Sequence, residues 1–203
     1  MIMNMIAVID YGAGNLKSIT NALDFLKVKY KVTDKPEDIE KADKIIFPGV
    51  GAFGDCMKSL KRLNLMETLK KGIYKKPYFG VCLGMQVLFE SSEESPGVKG
   101  LSIFKGTNKK FSGKNLKVPQ IGWNSIKILK KNKLLEGVKE DTYFYFVHSY
   151  YVVPQDKEII MTKTNYGVNF ASGIQKDNIY AVQFHPERSG EVGLQILGNF
   201  VSI

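Results

Sequence analysis

A cysteine stands between two glycines in Gly80-Val81-Cys82-Leu83-Gly84, at the end of the apolar run Pro77-Tyr78-Phe79. The layout is that of a nucleophile elbow, G-x-S-x-G, with a thiol in place of the serine. A sharp strand-to-helix turn needs glycine on both sides, because neighbouring backbone comes too close for a Cβ. The thiol would sit at a helix N-terminus, where the dipole and free amides favour thiolate. A base is then required, and the chain has only two histidines. His185, in Gln183-Phe184-His185-Pro186-Glu187, ends a predicted strand and can take the thiol proton and return it to a leaving group. Glu187, two residues on, can accept the second ring N–H and fix the tautomer, completing a Cys–His–Glu nucleophilic triad.

Acyl transfer also needs oxyanion donors. The N–H of Leu83, directly after the nucleophile, is one. The glycine-rich loop Phe47-Pro48-Gly49-Val50-Gly51-Ala52-Phe53 can supply a second, since glycines let amides point inward. His148, in Tyr145-Phe146-Val147-His148-Ser149-Tyr150, has no acidic neighbour and is read as structural or pocket-lining. Cys56 lies early in a helical pattern and is read as a small buried hydrophobe.

These residues must be positioned by a sheet. Ile6–Ile9, Tyr30–Thr33, Lys44–Phe47 and Pro77–Val81 read as strands. Between them, Leu16, Ile19, Leu23 and Leu26 form a helical stripe, Asp55–Lys71 is helical with a break near Asn64, and a helix runs from Leu83 to about Glu90. Alternation of this kind predicts an α/β fold, a mostly parallel central sheet with helices on both faces. The second half predicts an antiparallel, hairpin-rich section. Its β segments are Ile103–Phe111, Lys117–Ile121, Ser125–Leu129, Tyr143–Val153, Ile159–Thr164, Asn169–Gln175 and Asn178–Phe184, before a closing helix Val192–Val201. Active sites of open α/β sheets form at the carboxyl ends of strands, the edge where Cys82 and His185 both emerge.

At 203 residues, with 44% hydrophobic residues, the chain can bury a full core, and one domain over 1–203 is expected. The apolar opening Met1–Ile9 lacks a basic n-region and reads as a first buried strand, not a signal peptide. No stretch approaches the ~20 apolar residues of a membrane span. Two cysteines, one placed for chemistry, argue against a disulfide framework and for a reducing cytoplasm. Lys+Arg exceed Asp+Glu by 29 to 20, a net charge of +9. The lysines are scattered in short pairs such as Lys70-Lys71 and Lys109-Lys110, without interleaved aromatics, so a solvated surface is favoured over nucleic-acid binding. No P-loop, G-x-G-x-x-G turn opening a helix, or zinc-ligand spacing occurs, so no cofactor or metal is expected.

The combination of Asp10-Tyr-Gly-Ala-Gly-Asn15-Leu, Pro48-Gly-Val-Gly-Ala-Phe53, Gly80 to Glu90, Gly122-Trp123-Asn124, Tyr145 to Tyr150 and Gln183 to Ser189 resembles the class I (triad) glutamine amidotransferases. Within them it is similar to the glutaminase subunits serving imidazole glycerol phosphate synthesis in histidine biosynthesis. The resemblance covers essentially the whole chain. It implies that Cys82 attacks the glutamine amide, with Val50 and Leu83 as oxyanion donors. Gly51, Gln86, Ser149 and Tyr150 would hold the substrate. The Gly49-Val50 peptide would need to turn before its amide can donate. It further implies a (β/α)8-barrel cyclase as heterodimer partner, contacted through Asn15, Trp123, Tyr145 and Arg188, and receiving the ammonia. Two alternatives are a glutaminase feeding another synthase, of the anthranilate or pyridoxal phosphate type, and a non-catalytic scaffold on the same fold. Trp123 in its Gly-Trp-Asn setting and the Asp10–Asn15 loop argue against the first, and the complete thiol, base and orienter set against the second.

Overall fold

The computed structural model of the protein describes residues 5–12 and 16–203. The first half runs β1 (Ile6–Ile9), α1 (Leu16–Phe25), β2 (Tyr30–Thr33), α2 (Pro36–Lys41), β3 (Lys44–Phe47), α3 (Phe53–Arg62), α4 (Met66–Lys75), β4 (Tyr78–Val81) and α5 (Leu83–Gln86). There follow β5 (Phe89–Ser92), β6 (Phe104–Lys110), β7 (Gln120–Ser125), β8 (Lys127–Ile128), β9 (Tyr143–His148), β10 (Tyr150–Pro154), β11 (Ile160–Asn165), β12 (Asn169–Lys176), β13 (Ile179–Val182) and α6 (Gly190–Ser202).

The main sheet has the order β2-β1-β3-β4-β13-β12-β11-β8. The first five strands in that order pair in parallel, and the rest are antiparallel. β1, β3, β4 and β13 are buried along their whole length, as strands covered on both faces must be. Alternate side chains feed two cores. Ala7, Ile9, Ile45 and Phe47 pack with Ile39, Leu60, Leu69 and Ile73 of α2–α4. Ile6, Val8 and Ile46 pack with Ile19 and Leu23 of α1 and Ile196, Leu197 and Phe200 of α6. Two smaller sheets, β10-β6-β5 and β7-β9, complete the fold. The α/β architecture expected from the alternating pattern is therefore present, including the antiparallel section.

Several boundaries differ. The helix expected from Leu83 to about Glu90 is a single turn ending at Gln86. Phe89–Ser92 is instead a strand, drawn into parallel pairing with β6 through Phe89 and Phe104. The segment expected as one strand over Tyr143–Val153 is two, interrupted at Ser149. β9 pairs with β7, and β10 turns away to pair with β6. The strand expected at Lys117–Ile121 begins only at Gln120 and runs on to Ser125. The helical break near Asn64 is present, with Asn64 at φ +56 between α3 and α4. Among the described residues no helix is long and apolar enough to cross a membrane.

Candidate active site

Three neighbouring parallel strands end at one edge, and each delivers a piece of the site. β3 runs into the loop Pro48–Gly51, β4 into Cys82, and β13 into His185. Val81 and Val182 are register partners, and the Cys82 N–H donates to the Val182 carbonyl at 2.8 Å, so the segments that carry the thiol and the imidazole leave the sheet together.

The elbow is as tight as its glycines suggest. Cys82 adopts φ +51, ψ −103, a conformation costly for any residue with a side chain. A Cβ on Gly80 would overlap the Gly84 carbonyl, and one on Gly84 would overlap the Phe47 carbonyl. The turn therefore closes by backbone lying on backbone. The Cys82 carbonyl accepts from Met85 N–H at 3.0 Å and Gln86 N–H at 3.2 Å. The Leu83 N–H donates to no acceptor among the described residues, which suits the oxyanion role expected of it.

His185 is 2% exposed. Its Nδ1 lies 2.7 Å from Oε1 of Glu187, which occupies the short 3-10 turn Pro186–Arg188. Ser189 Oγ donates to the His185 carbonyl at 2.7 Å, and the His185 N–H donates to the Tyr145 carbonyl at 2.9 Å, so the His185 backbone is held on both sides. Nε2 is buried and has no hydrogen-bond partner among the described residues. Burial opposes charge on this imidazole, but the negative charge of the Cys82 sulfur and the Glu187 carboxylate outweigh it, raising His185 to about 10.

His148 is a different kind of histidine. Burial lowers it to about 4, so it is neutral. Nδ1 donates to the Tyr150 carbonyl at 2.8 Å, and the ring is packed by Phe111, Phe146 and Phe170. It lines the pocket without a carboxylate to orient it. Cys56 is buried in the core, its thiol pushed up by burial.

The thiol opens into a cavity of about 400 Å³ whose lining includes Val50, Gly51, Leu83, Gln86, Ser149, Tyr150 and Arg188. All four residues expected to hold substrate are thus at one cavity. Glu187 stands behind His185 and not in the lining. The Gly49-Val50-Gly51 loop also borders the cavity, but the Val50 N–H donates away from it, to the Tyr11 hydroxyl at 3.1 Å. Of the expected partner contacts, Arg188 lies over the Tyr145 ring with its guanidinium 4.3 Å from the centroid. Tyr145 in turn meets Trp123 edge-on at 6.2 Å. These three make a row from the cavity mouth to the surface, where Trp123 is 55% exposed beside exposed Ile121 and Tyr143. Asn15 lies outside the described residues.

Two site residues escaped the sequence reading. Gln183 is fully buried. Its Nε2 donates to the Cys82 sulfur at 3.4 Å, while its Oε1 accepts from Gln86 Nε2 at 3.2 Å. The signal was its position in the short run Gln183-Phe184-His185 that links β13 to His185. Glu94 lines the cavity, and its Oε2 accepts the Phe53 N–H at the start of α3 at 2.7 Å. Among the described residues no group of three or more His, Cys, Asp or Glu could hold a metal.

A sequence profile of the family described as Glutamine amidotransferase class-I matches residues 7–203. The chain is 52% identical over 200 residues to the imidazole glycerol phosphate synthase subunit HisH of Methanocaldococcus jannaschii, covering 98% of this chain and all of that one. It is 50% identical over 201 residues to the subunit of the same name from Pyrococcus furiosus, covering 98% of each. Among solved structures, a glutamine amidotransferase superposes with a TM-score of 0.76 at 15% identity, over 97% of this chain and 99% of that one. A glutamine amidotransferase from Thermotoga maritima gives 0.66 at 16% identity, over 92% of this chain and 77% of that one. The structural likeness carries the fold, and the sequence profile runs through the 48–51 loop, the elbow and the His-Pro-Glu turn; the chain belongs to the class-I glutamine amidotransferases.

Proposed function

We propose that the chain is the glutamine-hydrolysing subunit of an imidazole glycerol phosphate synthase, with Cys82, His185 and Glu187 as its catalytic triad. The observation that carries this is the register pairing of β4 and β13, which brings a thiol, a carboxylate-oriented imidazole and a free amide to one cavity. Its specific assignment rests on relatives of nearly full length that bear that subunit's name.

The substrate's amide carbon is attacked by the Cys82 sulfur. Charge that develops on the amide oxygen is taken up by the Leu83 N–H and, once its peptide has turned, by the Val50 N–H. Each such donor is worth about 2.7–4 kcal/mol in the transition state. The His185 imidazolium gives its Nε2 proton to the departing nitrogen, and ammonia leaves a glutamyl thioester. His185, now neutral, takes a proton from water as it attacks the thioester, and glutamate is released. Glu187 holds the tautomer throughout. Gln86, Ser149, Tyr150 and Gly51 surround the amino-acid end of the substrate, and the Glu94 carboxylate is the group in the lining suited to an α-ammonium.

The ammonia is passed to a (β/α)8-barrel cyclase docked on the Trp123–Tyr145–Arg188 row, with Asn15 as a further contact. The cyclase binds the phosphorylated ribulosyl substrate. The test is glutamate formation by the chain alone, with the cyclase, and with the cyclase plus its nucleotide ligand. Glutamate formation that stays negligible in all three arms overturns the assignment. Co-purification with an anthranilate-synthase or pyridoxal-synthase partner redirects it.

A further inference from the structure

Tyr11 follows β1 and is 1% exposed. Its ring stacks on Phe47, with centroids 5.3 Å apart and planes 21° apart. Phe47 ends β3, and the loop 48–51 begins directly after it, so this stacking fixes the phenol hydroxyl beneath the loop. From there one oxygen holds both polar groups of a single residue. The hydroxyl donates to the Val50 carbonyl at 2.7 Å and accepts from the Val50 N–H at 3.1 Å. The Val50 side chain is 38% exposed. Tyr11 is not part of the cavity lining. An N–H has one proton and one direction; aimed at the buried phenol, it is not aimed at the space in front of Cys82.

The flanks of the loop concentrate the motion at this peptide. Gly49 is pressed onto the elbow so closely that a Cβ would overlap the Leu83 and Gly84 nitrogens and the Val81 carbonyl. Gly51, on the other side, sits at φ +103, where glycine alone rotates freely. Burial raises the Tyr11 phenol well above its ordinary range, so the hydroxyl keeps the proton that it donates.

We propose that Tyr11 is a positioning residue for glutamine hydrolysis: its hydroxyl holds the Val50 peptide with the N–H turned away from the thiol, and the oxyanion site is completed only when this two-bond grip is released. The inference rests on the reading of Val50 as an oxyanion donor. It accounts for a resting chain that has a formed triad and one oxyanion amide committed elsewhere.

The test is Tyr11→Phe, which keeps the ring and its stacking and removes the oxygen. Glutaminase kcat and KM are measured for the chain alone and for its complex with the cyclase and nucleotide ligand. The expected result is a rise in partner-free kcat of about tenfold, the factor that the loss of one to two net hydrogen bonds permits, with KM changed less than about twofold. The stimulation by the partner shrinks by the same factor. A merely structural tyrosine would instead lower kcat in both states. An unchanged or reduced partner-free kcat in a folded variant overturns the proposal. Amide exchange at Val50 in the unsubstituted chain, followed by NMR, decides the matter even if the variant does not fold. Protection of about 100-fold or more is expected for an N–H held by a buried hydroxyl, and exchange at the unprotected rate overturns the grip. If the unsubstituted complex itself fails to hydrolyse glutamine, the functional reading falls; if it is active and Tyr11→Phe leaves the partner-free rate low, only the role of Tyr11 falls.

Discussion

Val81 and Val182 lie side by side as the last paired residues of β4 and β13. One residue beyond the first is Cys82; three beyond the second is His185. The intervening Gln183 and Phe184 are not spacers. Gln183 reaches the sulfur, and Phe184 stacks on Phe144 at 4.1 Å, anchoring the chain as it leaves the sheet.

Replacing the nucleophile separates two activities. Cys82→Ala is expected to abolish glutamine-dependent product formation in the assembled synthase and to leave ammonia-dependent formation intact. Loss of both in a folded complex would count against a glutaminase role. A glutamine-competitive electrophile should label Cys82 in preference to Cys56, whose thiol is buried in the core; mass spectrometry of the labelled peptides reads the ratio.

The thiol's hydrogen-bond donor should matter without touching substrate. Gln183→Leu removes the Nε2–H to sulfur and the acceptor for Gln86 together. A hydrogen bond to a charged group contributes about 1.5–3 kcal/mol, so kcat is expected to fall about tenfold to a hundredfold. A kcat within about twofold of the unsubstituted complex would show that the thiol does not depend on this contact.

The two histidines should titrate at opposite extremes. The imidazole NMR signals are expected to show His148 neutral down to about 4 and His185 protonated up to about 10, with none near the ordinary 6.5. The stability signs differ accordingly. The contribution of His185, whose folded value is raised, is fully present below 6.5 and is lost as pH climbs toward 10. That of His148, whose folded value is lowered, is present above 6.5 and is lost as pH falls toward 4. Urea unfolding across pH 4–10 should therefore show stability declining in both directions from near neutral. Glu187→Gln should bring the upper titration down, and an ordinary titration for His185 in the unsubstituted chain would overturn the raised value.

The elbow glycines should tolerate no side chain. Gly84→Ala drives a Cβ into the Phe47 carbonyl, a backbone atom that cannot swing aside. A loss of about 3 kcal/mol or more is expected, at the upper end of overpacking penalties, together with loss of activity. Denaturant midpoints compare it with Gly97→Ala. There nothing lies within 4 Å and only the positive φ (+83) opposes a side chain, whereas Gly84 has no such φ, so a larger loss at Gly84 reports the collision.

The exposed row should govern assembly and not chemistry. Trp123→Ala is expected to weaken binding of the cyclase about thirtyfold or more, the range of a buried aromatic anchor, while partner-free glutamine turnover stays the same. Titration calorimetry measures the first and a glutamate assay the second. Undiminished affinity would move the interface elsewhere.

Much of this site is legible in the residues themselves. The elbow can be read because Gly80, Cys82 and Gly84 answer a steric demand local to a few residues, and His185 and Glu187 because two residues suffice to orient a ring. The buried strands β1, β3 and β4 are continuous apolar runs and declare themselves in the same way. What eludes such reading depends on partners distant in the chain. Phe89–Ser92 follows a helical turn and looks able to continue it, yet β6 captures it as a strand. Ser149 breaks one β run into two because β7 and β6 compete for its halves. The grip of Tyr11 on Val50 joins residues 39 positions apart, and nothing in either neighbourhood announces it.

The place of β13 in the sheet has a consequence for when the enzyme comes into being. This strand, near the end of the chain, is inserted between β4 and β12, in the interior of the sheet and not at its rim. Cys82 precedes His185 by about half the chain. During synthesis Cys82 therefore emerges before His185, and the hairpin of β12 and β13 must dock beside β4 before the two side chains can meet. Such long-range closure comes late in folding. Until then Cys82 and His185 are apart, so the arrangement proposed for glutamine hydrolysis is assembled only once that hairpin has docked.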